Sequence, residues 1–288
     1  MSPDDSNRVS RRSVLAASAA TAAVPAGAGA TVGVGTVSGS VGRTDSPTRW
    51  DRRCPDATLE PSHEPCPDAT MAGCDDEHPE TIALQEAVRE HLESQFASVG
   101  ALLDAGFVPY FDALDRDEDG WSHWLNPAYI GDDGVLDPDR PESVLVDNDR
   151  WIPIGVMFIA TRGGDPVDPP PVYGDEDADE RCSPWHYHRG LPGRFAWWFY
   201  EHVYVDDRDP GLRLPCRTPC MLHVWTVDHP GGVYAHGGPP PAAREGPAAE
   251  TAGFDTDADP GVDRLGWDVL PENVLPERLP SEFSWADR

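Results

Sequence analysis

The chain has 288 residues, a formal charge of −29 and no lysine, its 22 basic residues all being arginine. An acidic surface of this kind keeps a protein hydrated where salt screens charges to within about 3 Å, and it makes nucleic acid and anionic membranes poor partners. The expected setting is an exported protein of an extreme halophile, with most acidic runs serving solvation.

Residues 1–30 contain "SRRSVLAASAATAAVPAGAGA", an arginine pair (Arg11, Arg12) followed by a weakly apolar run and an Ala-Gly-Ala stretch. This pattern reads as a twin-arginine export signal. The run is too short and alanine-rich for a membrane span, and no other segment has the ~18 consecutive apolar residues that a span needs. The expected location is extracellular or at the cell surface.

A spacer rich in Gly, Ser, Thr, Pro and Asp follows over residues 31–76 and holds Cys54, Cys66 and Cys74; Cys182, Cys216 and Cys220 lie further on. In an oxidising compartment these cysteines are expected to form disulfides, with fifteen connectivities open for six of them. The Cys216-x-x-x-Cys220 spacing is not that of a zinc ribbon.

A single globular domain is expected over 77–238. It opens with "HPETIALQEAVREHLESQFASVGALLDAGF", where Leu84, Val88, Leu92, Phe96, Val99 and Leu103 recur at three- and four-residue steps. The spacing predicts one long amphipathic helix, with Pro79 in its first turn and Gly106 as its stop. The "DRDEDG" stretch that follows matches the first positions of a calcium loop at Asp115, Asp117 and Asp119. Its twelfth position is Asn126 where a bidentate Glu belongs, so a solvated turn is preferred to a calcium site.

Four segments, "SVLVD", "WIPIGVMFIAT", "FAWWFYEHVYV" and "CMLHVWTVD", read as strands because they are rich in β-branched and aromatic residues and are bounded by Pro, Gly and Asp. None leads into a helical pattern, so the expected fold is mainly β, an antiparallel sheet or sandwich with the amino-terminal helix; α+β is the alternative. Residues 239–288 form an acidic Pro/Ala-rich tail, read as partly disordered, whose last apolar residues could dock back.

Signatures for dinucleotides, P-loops, serine hydrolases, zincins and c-type haem are missing from the chain. The histidines carry more information. In "CSPWHYHRG", His186 and His188 are two residues apart, and an extended strand presents both rings to one side. His223 in "CMLHVW" and His123 in "GWSHWLNP" lie in aromatic surroundings where an imidazole needs a partner. His202 and Glu201, on the supposed strand with Tyr200 and Tyr204, are further candidates; His229 and His236 rank second.

The run "HWLNPAYIGDDGVLDPDRPESVLVDNDRWIPIGVMFIA", with "DPPPVYG" and "MLHVWTVDHPGGVYA", resembles a family of largely uncharacterised exported bacterial and archaeal proteins. The likeness runs from about Asp104 to Pro239 and rests on the order of its His-Tyr-x-Asn-Pro, Leu-Asp-Pro-x-x-Pro-Glu and Leu-His-Val-Trp motifs. It implies no activity, but it marks His123 and His223 as motif positions. Met157 stands where the resemblance implies an acidic residue, and His229-Pro230 stands in place of Asn-Pro. His186 or His188 would then substitute for the missing carboxylate.

Two functions follow as expectations. The first is an exported protein with a mononuclear transition-metal site, with ligands His186, His188 and His223 and with His123 as the fourth or as support. Copper or zinc is favoured and iron is admissible; the ion is structural or activates water or dioxygen for an unknown small molecule. The second is a non-enzymatic, disulfide-stapled domain that binds a partner or carbohydrate through exposed tryptophans such as Trp185, Trp197 and Trp198.

Overall fold

The structure is a computed structural model that describes residues 53–110, 114, 120–174, 180–205 and 213–283. The export signal and Asp115, Asp117 and Asp119 lie outside the described residues. The described residues group into one compact unit. Among the described residues, no helix is long and apolar enough to cross a membrane.

In chain order the elements begin with β1 (Glu64–Pro65), α1 (Pro79–Gln95), α2 (Val99–Asp104), β2 (Val108–Pro109), β3 (Trp121–Leu125) and α3 (Pro127–Ile130). Then come β4 (Ser143–Asp147), β5 (Ile152–Ile159), the short pair β6 (Thr161–Arg162) and β7 (Asp165–Pro166), β8 (His186–Tyr187), α4 (Leu191–Val203) and β9 (Met221–Trp225). A seven-stranded antiparallel sheet, ordered β1-β8-β9-β5-β4-β3-β2, forms the centre. The mainly β expectation holds.

Strand alternation divides the core between the two faces of this sheet. Val156, Phe158, Leu222 and Val224 point to the face that carries Val88 and Leu92 of α1. On the opposite face, Met157, Ile159, Met221 and Trp225 pack against Trp197 and Tyr200 of α4. His123 and His223 lie on strands separated by β4 and β5, roughly 14 Å apart across a flat sheet. Their Nε2 atoms nevertheless meet at 3.4 Å. The sheet therefore curls toward the α4 face and makes it concave.

Two elements differ from the sequence reading. The long helix is broken: α1 ends at Gln95, and the hydroxyl of Ser98 accepts from the Ala101 amide to cap a new helix. The apolar period runs across the break, so periodicity alone does not reveal it. Gly106, at φ 88°, closes the second helix as expected. "FAWWFYEHVYV" is not a strand but most of α4. This helix is buried on nearly all sides, Trp197 and Tyr200 against the sheet and Phe195, Trp198 and Phe199 against Leu214 and Phe283. A mostly apolar run has little period by which to tell helix from strand, and its aromatics favoured the wrong choice.

Three disulfides join the segment before α1 to the sheet region: Cys54–Cys216, Cys66–Cys220 and Cys74–Cys182. Each pairs an early cysteine with a late one, which draws the Pro-rich segment onto the sheet where β1 pairs with β8. The Pro/Ala-rich segment after residue 239 also lies against the core. Its Leu265 and Ala249 amides donate to the carbonyls of Asn148 and Arg150, and Leu265 and Trp267 are buried. Gly100 is needed for this docking, because a Cβ there would lie 2.2 Å from the Gly253 carbonyl oxygen.

Candidate metal centre

The concave face gathers histidines from four separate stretches of chain. His186 comes from β8, His188 follows two residues later, His223 comes from β9, and His123 comes from β3. His236 arrives from the loop after β9, and its ring stacks on that of His63 at 4.0 Å between centroids. The ligand-capable nitrogens of His186, His188 and His236 all lie within 4.8 Å of one another.

The loop that brings in His236 is firmly placed. Trp225 donates its indole N–H to the Ala235 carbonyl at 2.8 Å, and its amide donates to the Val233 carbonyl at 3.0 Å. His229 braces the same loop. Its Nδ1 accepts from the Gly231 amide at 2.8 Å, so Nε2 carries the proton and donates to the Gly237 carbonyl at 3.0 Å. With both nitrogens engaged, His229 holds the loop and has no lone pair left for an ion.

His188 is oriented in the opposite sense. Its Nδ1 lies 3.0 Å from the Ser62 carbonyl and must donate to it, which leaves Nε2 as a bare lone pair. That atom faces the Nε2 of His236 at 3.5 Å. Such a separation is long for a hydrogen bond and close to the ~3.3 Å edge of two imidazoles sharing a tetrahedral ion. An imidazole that ligates a metal typically gives its other N–H to a carbonyl in this way.

His186 supplies the strongest sign that something is meant to bind. It is 7 % exposed, and its Nε2 is buried with no hydrogen-bond partner. Leaving such an atom unsatisfied costs about 1–3 kcal/mol, which a ligated ion would remove. Burial holds the His186 imidazole well below its ordinary pKa, with the neighbouring histidines adding to the effect. Burial also lowers His223 to about 3 and His236 to about 2, again reinforced by adjacent rings. The cluster is therefore neutral at ordinary pH, as ligation requires.

A cavity of about 380 Å³ opens beside these rings, lined by His63, His123, His188, His223 and His236 with Tyr110, Trp121, Met157 and the start of α4. No carboxylate or arginine is among the described residues that line it. Gly193 of α4 comes so near His188 that a Cβ there would lie 2.5 Å from the His188 Cβ.

No family model, curated protein or solved structure matches this chain.

Among the sequence candidates, His186 and His188 come together as a pair, and His236 completes their group. His223 and His123 stand beside that group and face each other, with the His223 ring 5.5 Å from that of His186. His202 is exposed on α4 and stacks on Trp198, away from the cluster. His63 was not foreseen; its one local signal is its place near Cys66, whose bridge to Cys220 draws it to the sheet. The tryptophan shelf is corrected outright: Trp185, Trp197 and Trp198 are buried at 1–3 % exposure and offer no surface to a sugar or partner.

Proposed function

We propose that the protein is an exported transition-metal protein that holds one copper or zinc ion through His186, His188 and His236. The observation that carries the reading is that His186, His188 and His236 each bring a ring nitrogen within 4.8 Å of the others, while the Nε2 of His186 is buried and unpartnered. Imidazole-only donors suit zinc and copper, and the closed disulfides suit an oxidising compartment where a thiolate site would not last. The twin-arginine signal, the halophilic setting and the family resemblance belong to this proposal as sequence readings.

Three neutral ligands leave a coordination position free and the ion's charge uncompensated. An ion so held supplies Lewis acidity beside the cavity, favouring hydroxide or another anionic oxygen ligand. The protein's own part is to keep the rings neutral, fix the His188 tautomer through Ser62, and surround the position with Trp121, Tyr110 and the amino end of α4.

The test is elemental analysis of the full chain loaded with zinc in high salt, which should find about one zinc per molecule. A His186→Ala, His188→Ala variant should lose it. Equal, metal-free results for both proteins would overturn the reading.

A further inference from the structure

We propose that the concave face carries a second, softer metal site, formed by His123, His223 and the thioether of Met157, and that this site selects copper(I). It adjoins the His186, His188 and His236 site, the His223 ring lying 5.5 Å from that of His186, but shares no ligand with it.

The sheet register supplies the first argument. Met157 of β5 is paired directly with His223 of β9, and directly paired residues project from the same face with neighbouring Cβ atoms. Met157 and His223 line the cavity together with His123. The Nε2 atoms of His123 and His223 approach to 3.4 Å, the same near-edge separation found between His188 and His236. His223 is 3 % exposed, so its ring is held inside the concave face away from water.

Donor chemistry supplies the second argument. Two imidazoles and a thioether form a soft, neutral set of the kind that favours copper(I) over zinc. Trp121 walls the pair, its ring 4.7 Å from His123 and 6.2 Å from His223, and no carboxylate is among the described residues that line the cavity. The cost of burying an ion grows with the square of its charge, so such surroundings favour the monovalent state. Every cysteine is in a disulfide, so any sulfur on the copper must come from methionine. Met221, on the same strand face two residues from His223, is paired with His186 and does not line the cavity, so its replacement tests whether the other buried thioether is used instead.

The experiment loads the metal-free full chain, in high salt with ascorbate and no thiol, with copper(I) or separately with zinc, and counts ions per molecule. Wild type should take two copper(I) but one zinc. Met157→Leu, which preserves volume, should fall to one copper(I) and keep its zinc, whereas Met221→Leu should keep both counts. The His186→Ala, His188→Ala variant should bind no zinc yet retain one copper(I), with a sulfur neighbour visible by X-ray absorption. Wild type taking only one copper(I), Met157→Leu retaining two, or a retained copper without sulfur would each overturn the second site. Failure of wild type to bind zinc would instead count against the first site alone.

Discussion

Trp225 donates its indole N–H to the carbonyl of Ala235 at 2.8 Å, and so fixes the backbone immediately before His236. A buried tryptophan of the sheet thereby sets a residue that the sheet itself does not contain. Trp225→Phe removes this bond while keeping most of the apolar volume. Supporting contacts of this kind typically govern metal affinity by about 10–100-fold. The expected outcome is a loss of that size in zinc affinity, measured by competition with a chromogenic chelator, with the far-ultraviolet spectrum unchanged. Unaltered affinity would show that the loop holds His236 without the indole.

Gly193 faces His188 more closely than any side chain allows, since an added Cβ would sit 2.5 Å from the His188 Cβ and 2.8 Å from its Cγ. Gly193→Ala must push α4 and His188 apart. Overpacking of this kind costs about 1–3 kcal/mol, and the displaced ring should weaken zinc binding by an order of magnitude or more. Chemical denaturation and zinc competition on the same sample test both effects. A variant with wild-type affinity would place His188 outside the ligand set.

The metal-free protein should lose stability as pH falls. Burial lowers the folded pKa of His223 to about 3 from an ordinary 6.5, so between these values the unfolded chain binds the proton and the folded chain does not. Stability then rises with pH through this window and is fully present above 6.5. The slope from His223 alone reaches about 1.4 kcal/mol per pH unit. Thermal melts at constant high salt, from pH 8 down to pH 5, should show a falling midpoint only below pH 6.5. A flat profile would mean that the cluster hydrates on acidification.

Much of the fold was legible from residue patterns. Strands β4, β5 and β9 were marked by β-branched runs between turn residues, and α1 was marked by its apolar period behind Pro79. Helix α4 was not legible, because burial on nearly all sides blurs the period that distinguishes helix from strand. The break between α1 and α2 was hidden for a related reason: Ser98 caps locally while the apolar spacing continues through it.

The site divides along the same line. His186 and His188 were findable because their spacing is local, two residues on an extended chain. His236 and His63 join them through long-range events, the Trp225-braced loop and the Cys66–Cys220 bridge. The amino-acid sequence by itself determined the acidic, lysine-free surface, the paired cysteines, the mainly β character and the histidine-rich chemistry, since each follows from residue type or short spacing. The convergence of those histidines was decided by tertiary structure alone. It depends on a sheet that curls far enough for rings three strands apart to meet, and no local pattern encodes that curvature.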